Sequence, residues 1–147
     1  MSETALVAGS AAAWTMVGII WFVQVVHYPL LAGLRTAVAE TSAEHRWRTT
    51  VVVALPMAVQ GLSCLVLVAA PPEGAWALGP WLAGALLAVA LVVTGLVSVP
   101  LHVRMTEHGD LAAGRRLVQT NWWRTAAWTG HAVVMTVLLA QVLTRPG

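Results

Sequence analysis

The chain divides into four long apolar runs separated by short charged stretches. Residues 4–34, 49–72, 74–103 and 125–144 contain no Asp, Glu, Lys or Arg. A helix needs roughly 20 apolar residues to cross a hydrocarbon core about 30 Å thick, and every run is that long. Backbone groups find no water in hydrocarbon, so helices are expected and open sheet edges are not. The pattern predicts an all-α fold, an integral membrane four-helix bundle forming one domain over residues 1–147. Its spans fall at about 5–28, 49–70, 80–102 and 122–143. The connection between the second and third spans is short, and the two at the opposite membrane face are longer.

Local signals set the expected boundaries. Pro29 lacks a backbone donor and disfavours helical geometry at Tyr28, which predicts that the first span stops there. Thr41-Ser42-Ala43-Glu44 reads as a capping box opening the second helix ahead of its apolar run. Pro56 should kink that helix, and Pro71-Pro72 should end it. The third span is expected to start near Pro80-Trp81, to fray around Pro100 and to finish at His108-Gly109. Asp110 would cap a short surface helix reaching Val118, and Thr120 or Asn121 would cap the last span, which closes at Arg145-Pro146. No internal repeat or low-complexity tract is evident.

Composition and charge refine the picture. Apolar residues make up 59% and charged residues 10%, against about 25% charged in a soluble domain. There is no Lys. Of the arginines, Arg35, Arg46, Arg48, Arg104, Arg115, Arg116 and Arg124 fall at one membrane face and only Arg145 at the other. The positive-inside rule makes the arginine-rich face cytoplasmic and puts both termini outside. The basic balance is thus accounted for by the membrane, and nucleic acid is not an expected partner. Residues 1–9 carry no basic leader pattern, so the first run is expected to be retained as a span. Cys64 stands alone and offers neither a disulfide nor a thiolate metal site.

The polar residues within the runs are the candidate chemistry. All five histidines fall at the arginine-rich face or in its half of the membrane. Helical spacing puts Asn121, Arg124, Trp128 and His131 on one stripe, and Thr94, Ser98 and His102 on another. Gln24 and His27 mark the first span, and Thr49, Pro56, Gln60 and Ser63 the second. Such stripes avoid lipid and should face a common interior. His27, His102 and His131, with His45 as a fourth, form a candidate metal set, and imidazole ligands without thiolate suit iron or copper ahead of zinc. The bland alternative treats His27 and His102 as ordinary interfacial residues, and His45 and His108 as solvated ones. Arg124 and Asn121 would stabilise a developing oxyanion.

Trp47, Trp122 and Trp123, and at the far face Trp76 and Trp81, fit two aromatic belts. Trp14, Trp21 and Trp128 lie deeper and could line a pocket with Gln24 and Ser98. Ala5, Gly9 and Ala13 form a small-residue face for close helix contact, within the subunit or in a homo-oligomer.

The segments Val23-Gln24-Val25-Val26-His27-Tyr28-Pro29, Pro56-Met57, Pro100-Leu101-His102 and Thr120-Asn121-Trp122-Trp123-Arg124-Thr125 resemble a group of small, largely uncharacterised bacterial four-helix membrane proteins. In size and architecture the chain is also similar, more distantly, to the anthrone-oxygenase-like membrane family, whose members oxidise polycyclic aromatic intermediates. No catalytic residue is carried over from that architectural likeness. It implies residence in a bacterial cytoplasmic membrane. It also implies an oxidoreductase or oxygenase acting on a hydrophobic, aromatic or lipid-like small molecule, with or without a transition metal. Two other classes remain open: a b-type haem protein with paired axial histidines, and a transporter or accessory subunit using the polar stripes as a path.

Overall fold

A computed structural model describes residues 1–34 and 37–145. Arg35 and Pro146, used above for the arginine bias and for the end of the last span, lie outside the described residues. The described chain is all-helical, with four helices long and apolar enough to cross a membrane: α1 (Ser2–Ala32), α2 (Val38–Ala69), α3 (Gly79–His108) and α4 (Leu111–Leu143). They run alternately up and down, each packed on its sequence neighbours, and α4 closes the ring against α1.

The helices outrun the apolar spans, because two expected stops are absorbed. Ahead of Pro29 the backbone widens into a π turn over Val23–His27, in which the Tyr28 N–H bonds the Val23 carbonyl five residues back. Thr94–Ser98 widens in the same way ahead of Pro100, with the Val99 N–H on the Thr94 carbonyl. The wider turn moves out of line the carbonyl that a proline ring would strike in a regular helix. So α1 continues past Tyr28, and α3 passes Pro100 without fraying.

At the arginine-rich end two other expectations change. α2 begins at Val38 behind Ala37, whose φ of 52° lies in the left-handed region. Thr41 is already helical, so the capping box does not form. Asp110 does cap: its Oδ1 accepts from the backbone N–H groups of Ala112 at 2.8 Å and Ala113 at 3.1 Å. The helix it opens is no short surface piece, however, but the whole of α4. Thr120 lies inside that helix and bonds the Arg116 carbonyl, and Asn121 turns inward. The Ala113 N–H chiefly, with help from the Arg104 guanidinium, holds the Asp110 carboxyl below the usual carboxylate range. Gly109, at φ 60°, ends α3 as expected. Pro56 is accommodated within α2.

Core clusters follow one another along the bundle, the smallest being Ala13, Val17 and Ala132. Leu6, Leu67, Ala83, Met135 and Leu138 fill the far end, and Met16, Ile20, Ala90, Ala127 and Trp128 the middle. Val23, Tyr28, Leu31, Leu101, Met105 and Leu117 fill the arginine-rich end. Leu55, Leu62, Leu65 and Leu96 face outward, while Gln24, Gln60, Asn121 and His131 are buried, the inversion expected when the solvent is hydrocarbon. Gly9 is a close approach: a Cβ there would lie 2.7 Å from Met135 Cε and 2.8 Å from Ser63 Cβ. The Gly9–Ala13 face therefore serves packing within the subunit. Trp14 and Trp21, half-exposed, donate to Thr136 at 2.9 Å and Thr129 at 3.1 Å, tying α1 to α4 along the lipid-facing side.

Candidate functional site

At the arginine-rich end the four helices enclose a cavity of about 110 Å³. Its inner wall is apolar, formed by Met16, Ile20, Val53 and Met57; its other wall carries Tyr28, His45, Thr49, Ser98, His102 and Arg124. Each helix thus contributes, and the two π turns sit where α1 and α3 deliver their polar residues.

The polar wall is a chain of hydrogen bonds. The Arg124 Nη1 donates to Asn121 Oδ1 at 2.9 Å, and to Tyr28 Oη and Ser98 Oγ at 3.3 Å each. Asn121 Nδ2 donates to Gln24 Oε1 at 2.8 Å, and Gln24 Nε2 to the Val118 carbonyl at 3.2 Å. Tyr28 Oη and His102 Nε2 lie 3.0 Å apart. A guanidinium only donates, so the tyrosine oxygen accepts from Arg124; with the phenol proton turned to His102 Nε2, that nitrogen is the acceptor. A neutral His102 then carries its proton on Nδ1. Among the described residues that buried atom has no partner, and neither has the Nε of Arg124. In that tautomer both atoms are N–H donors without an acceptor, a costly state for buried groups.

A second cluster adjoins the first. His27 Nε2 and His45 Nδ1 are 2.6 Å apart, with Thr49 Oγ1 3.2 Å from the same His45 nitrogen. The His27 and His45 rings stack at 4.3 Å between centroids, and His45 lies 5.2 Å from His102. Three imidazoles and one phenol thus occupy a single corner.

The expected site residues divide between the cavity and its surroundings. Ser98, His102, His45 and Arg124 line it. Gln24 and Asn121 stand behind Arg124 with their amides engaged on one another, so Asn121 positions the guanidinium and does not face the cavity. Trp128 is fully buried beneath, its indole N–H on Gln60 Oε1 at 3.2 Å and its ring 5.3 Å from the Arg124 Cζ. Trp21 points away, edge-on to Trp122 and half-exposed.

No family model, curated protein or solved structure matches this chain.

His131 departs furthest from its expected place. Its Nδ1 lies 2.9 Å from the Ala83 carbonyl near the opposite end of α3. Ala83 and His102 are separated by roughly 28 Å of helix axis at 1.5 Å per residue. The grouping of His131 with His27 and His102 is not the one the fold makes. His131 and Arg124 do share a stripe of α4, but Arg124 reaches toward one end of α3 and His131 toward the other. Among the described residues no group of three or more His, Cys, Asp or Glu is placed to hold a metal ion. His27 and His45 direct nitrogens at each other, which occupies a lone pair that a metal would need.

Tyr28 and Thr49 are the site residues that the sequence pattern undervalues. Tyr28 follows Gln24 by four positions, so it shares that residue's face, but the proline after it reads as a helix end.

Proposed function

We propose that the protein is an integral membrane oxidoreductase of the oxygenase type, acting on a hydrophobic small molecule with an acidic C–H or phenolic O–H. It would reside in a bacterial cytoplasmic membrane, with the histidine cavity at the cytoplasmic face and both termini outside. The observation that carries the reading is a small cavity with Tyr28, His45, His102 and Arg124 on one wall and apolar side chains on the other. Such a site favours an oxygen on which negative charge develops.

In this reading the hydrogen-bonded His27–His45 pair takes the substrate proton, and the resulting oxyanion accepts from His102 and Arg124. The electron-rich anion then reacts with dioxygen. For a methylene flanked by aromatic rings, one molecule of dioxygen is consumed and the products are one ketone and one water. Both C–H bonds of the methylene break, one oxygen atom becomes the carbonyl, and the other leaves as water with the two hydrogens. The carbon is oxidised by four electrons, and dioxygen accepts all four. General-base catalysis supplies about 10²–10⁴-fold, and one oxyanion donor about 10²–10³-fold. A second mechanism has one observation in its favour, the proximity of the His27, His45 and His102 rings. Iron or copper held there would activate dioxygen directly, once the His27–His45 hydrogen bond opened. A haem is poorly accommodated by rings stacked at 4.3 Å.

The test is oxygen uptake by purified protein with an anthrone as substrate, together with its metal content and visible spectrum. Uptake above the spontaneous rate, reduced about 10²-fold in His45→Ala and in Arg124→Lys, is the expected result. Arg124→Lys keeps the charge and loses the planar set of donors. Stoichiometric iron or copper would move the mechanism to the metal. A Soret band, or uptake equal in wild type and both variants, would overturn the reading.

A further inference from the structure

Beside the inner cavity, a groove of about 440 Å³ opens between α1 and α2 toward the lipid. Its length is apolar, running along Gly18, Phe22 and Val52; its polar lining comprises His27, His45, Arg48 and Thr49. Ile19, Val23, His45 and Thr49 border both groove and cavity. Those side chains are thus a thin partition between lipid and the site, and Val23 is where the first π turn begins. From Gly18 to His27 the groove follows roughly 13 Å of helix.

We infer that this groove is a lateral portal and tail-binding site, and that the natural substrate is a single-tailed lipophilic phenol or enol. Its acidic head enters the cavity past Ile19 and Val23, while its hydrocarbon tail stays along α1 and α2. This deepens the functional reading above and rests on it for the head group. The tail follows from the groove alone. In a bilayer this volume must be filled by hydrocarbon, and here it ends on titratable groups continuous with the cavity. The larger groove between α2 and α3, about 880 Å³, is lined by Gly61, Leu65, Trp81 and Leu91 and shares no residue with the cavity. Its lining carries no histidine and no charged side chain to hold an acidic head group.

Two glycines make the test clean. A Cβ added at Gly18 or at Gly61 would meet nothing within 4 Å. The side chain of Gly18→Leu therefore has room to enter the portal groove, and that of Gly61→Leu to enter the other groove. Both are Gly-to-Leu changes in helices, so neither should impair folding. The probes are two photoreactive phenols in phosphatidylcholine nanodiscs. One carries a diazirine on a dodecyl tail; the other is short, with the diazirine on the ring.

The long probe should label Phe22 and Val52, and labelling should fall about tenfold in Gly18→Leu while Gly61→Leu leaves it unchanged. The short probe should label Val53 or Met57 and be indifferent to both variants. His102→Ala should weaken both probes. Labelling by the long probe spread evenly over lipid-facing residues, or unaffected by Gly18→Leu, would overturn the portal while the short probe still reports the cavity. Failure of the short probe to label the cavity in wild type would overturn the head-group reading, and the portal's substrate class with it.

Discussion

At the scale of single residues, the site is defined by which hydrogen bonds are complete. Asn121 and Gln24 satisfy one another and hold Arg124, whereas His102 Nδ1 and Arg124 Nε have no partner among the described residues. Asn121→Ala should therefore act through stability and position. It leaves a buried amide and a guanidinium short of a partner, costing about 1–2 kcal/mol, and it should lower the thermal midpoint and kcat more than it raises KM. His131 offers the complementary control. Its ring is buried on the Ala83 carbonyl, far from the cavity. His131→Ala should destabilise the protein by about 2 kcal/mol or more through the space and the unmet carbonyl it leaves. Oxygen uptake per folded molecule should nonetheless stay near wild type. Uptake in that variant as low as in His102→Ala would restore the idea of one shared histidine centre. Stripe arithmetic could not separate these roles, because spacing gives the face of a helix and not the end toward which a side chain leans.

At the scale of elements, the decisive features are the two widened turns before Pro29 and Pro100. Both prolines are plain in the sequence as interruptions; that each is preceded by a five-residue π turn is not, since no composition rule marks one. The four apolar runs are legible because hydrocarbon imposes a single solution on the backbone. Their ends are less so, because α2 and α4 continue outside the membrane on ordinary helical sequence. The Asp110 cap is readable and forms, whereas the Thr41–Glu44 box loses to a helix already begun at Val38. The π turns place Gln24 and Ser98 beside Arg124, and this leads to a further expectation. Pro29→Ala restores a backbone donor and removes the reason for the first wide turn. The variant should keep or gain thermal stability, yet lose about tenfold or more in oxygen uptake as Tyr28 and His27 rotate off their partners. Unchanged uptake with unchanged stability would show that the turn does not aim these side chains.

At the scale of the whole molecule, polarity is distributed along the bundle and not around it. The arginine-rich end carries the cavity, the histidine cluster and Trp47, Trp122 and Trp123, while Arg145 pairs with Glu73 at the other end at 2.8 Å. The orientation drawn from that bias is open to direct measurement. Single cysteines at Glu40 and Ala112, both exposed, in a Cys64→Ser background should resist a membrane-impermeant thiol reagent in intact cells and react after lysis. Labelling before lysis at either position would put the cavity outside.

α4 supplies a partner to polar groups buried on each of the other three helices. Gln24 meets Asn121, Tyr28 and Ser98 meet Arg124, and Gln60 meets Trp128. During synthesis these groups enter the membrane before the residues that satisfy them have left the ribosome. A nascent chain halted before Leu111 would hold amides and hydroxyls exposed to lipid, the condition that membrane quality-control proteases recognise. Chains truncated there should turn over rapidly in a pulse-chase experiment. Supplying α4 as a separate polypeptide should slow that loss, and Arg124→Ala in the supplied helix should weaken the rescue.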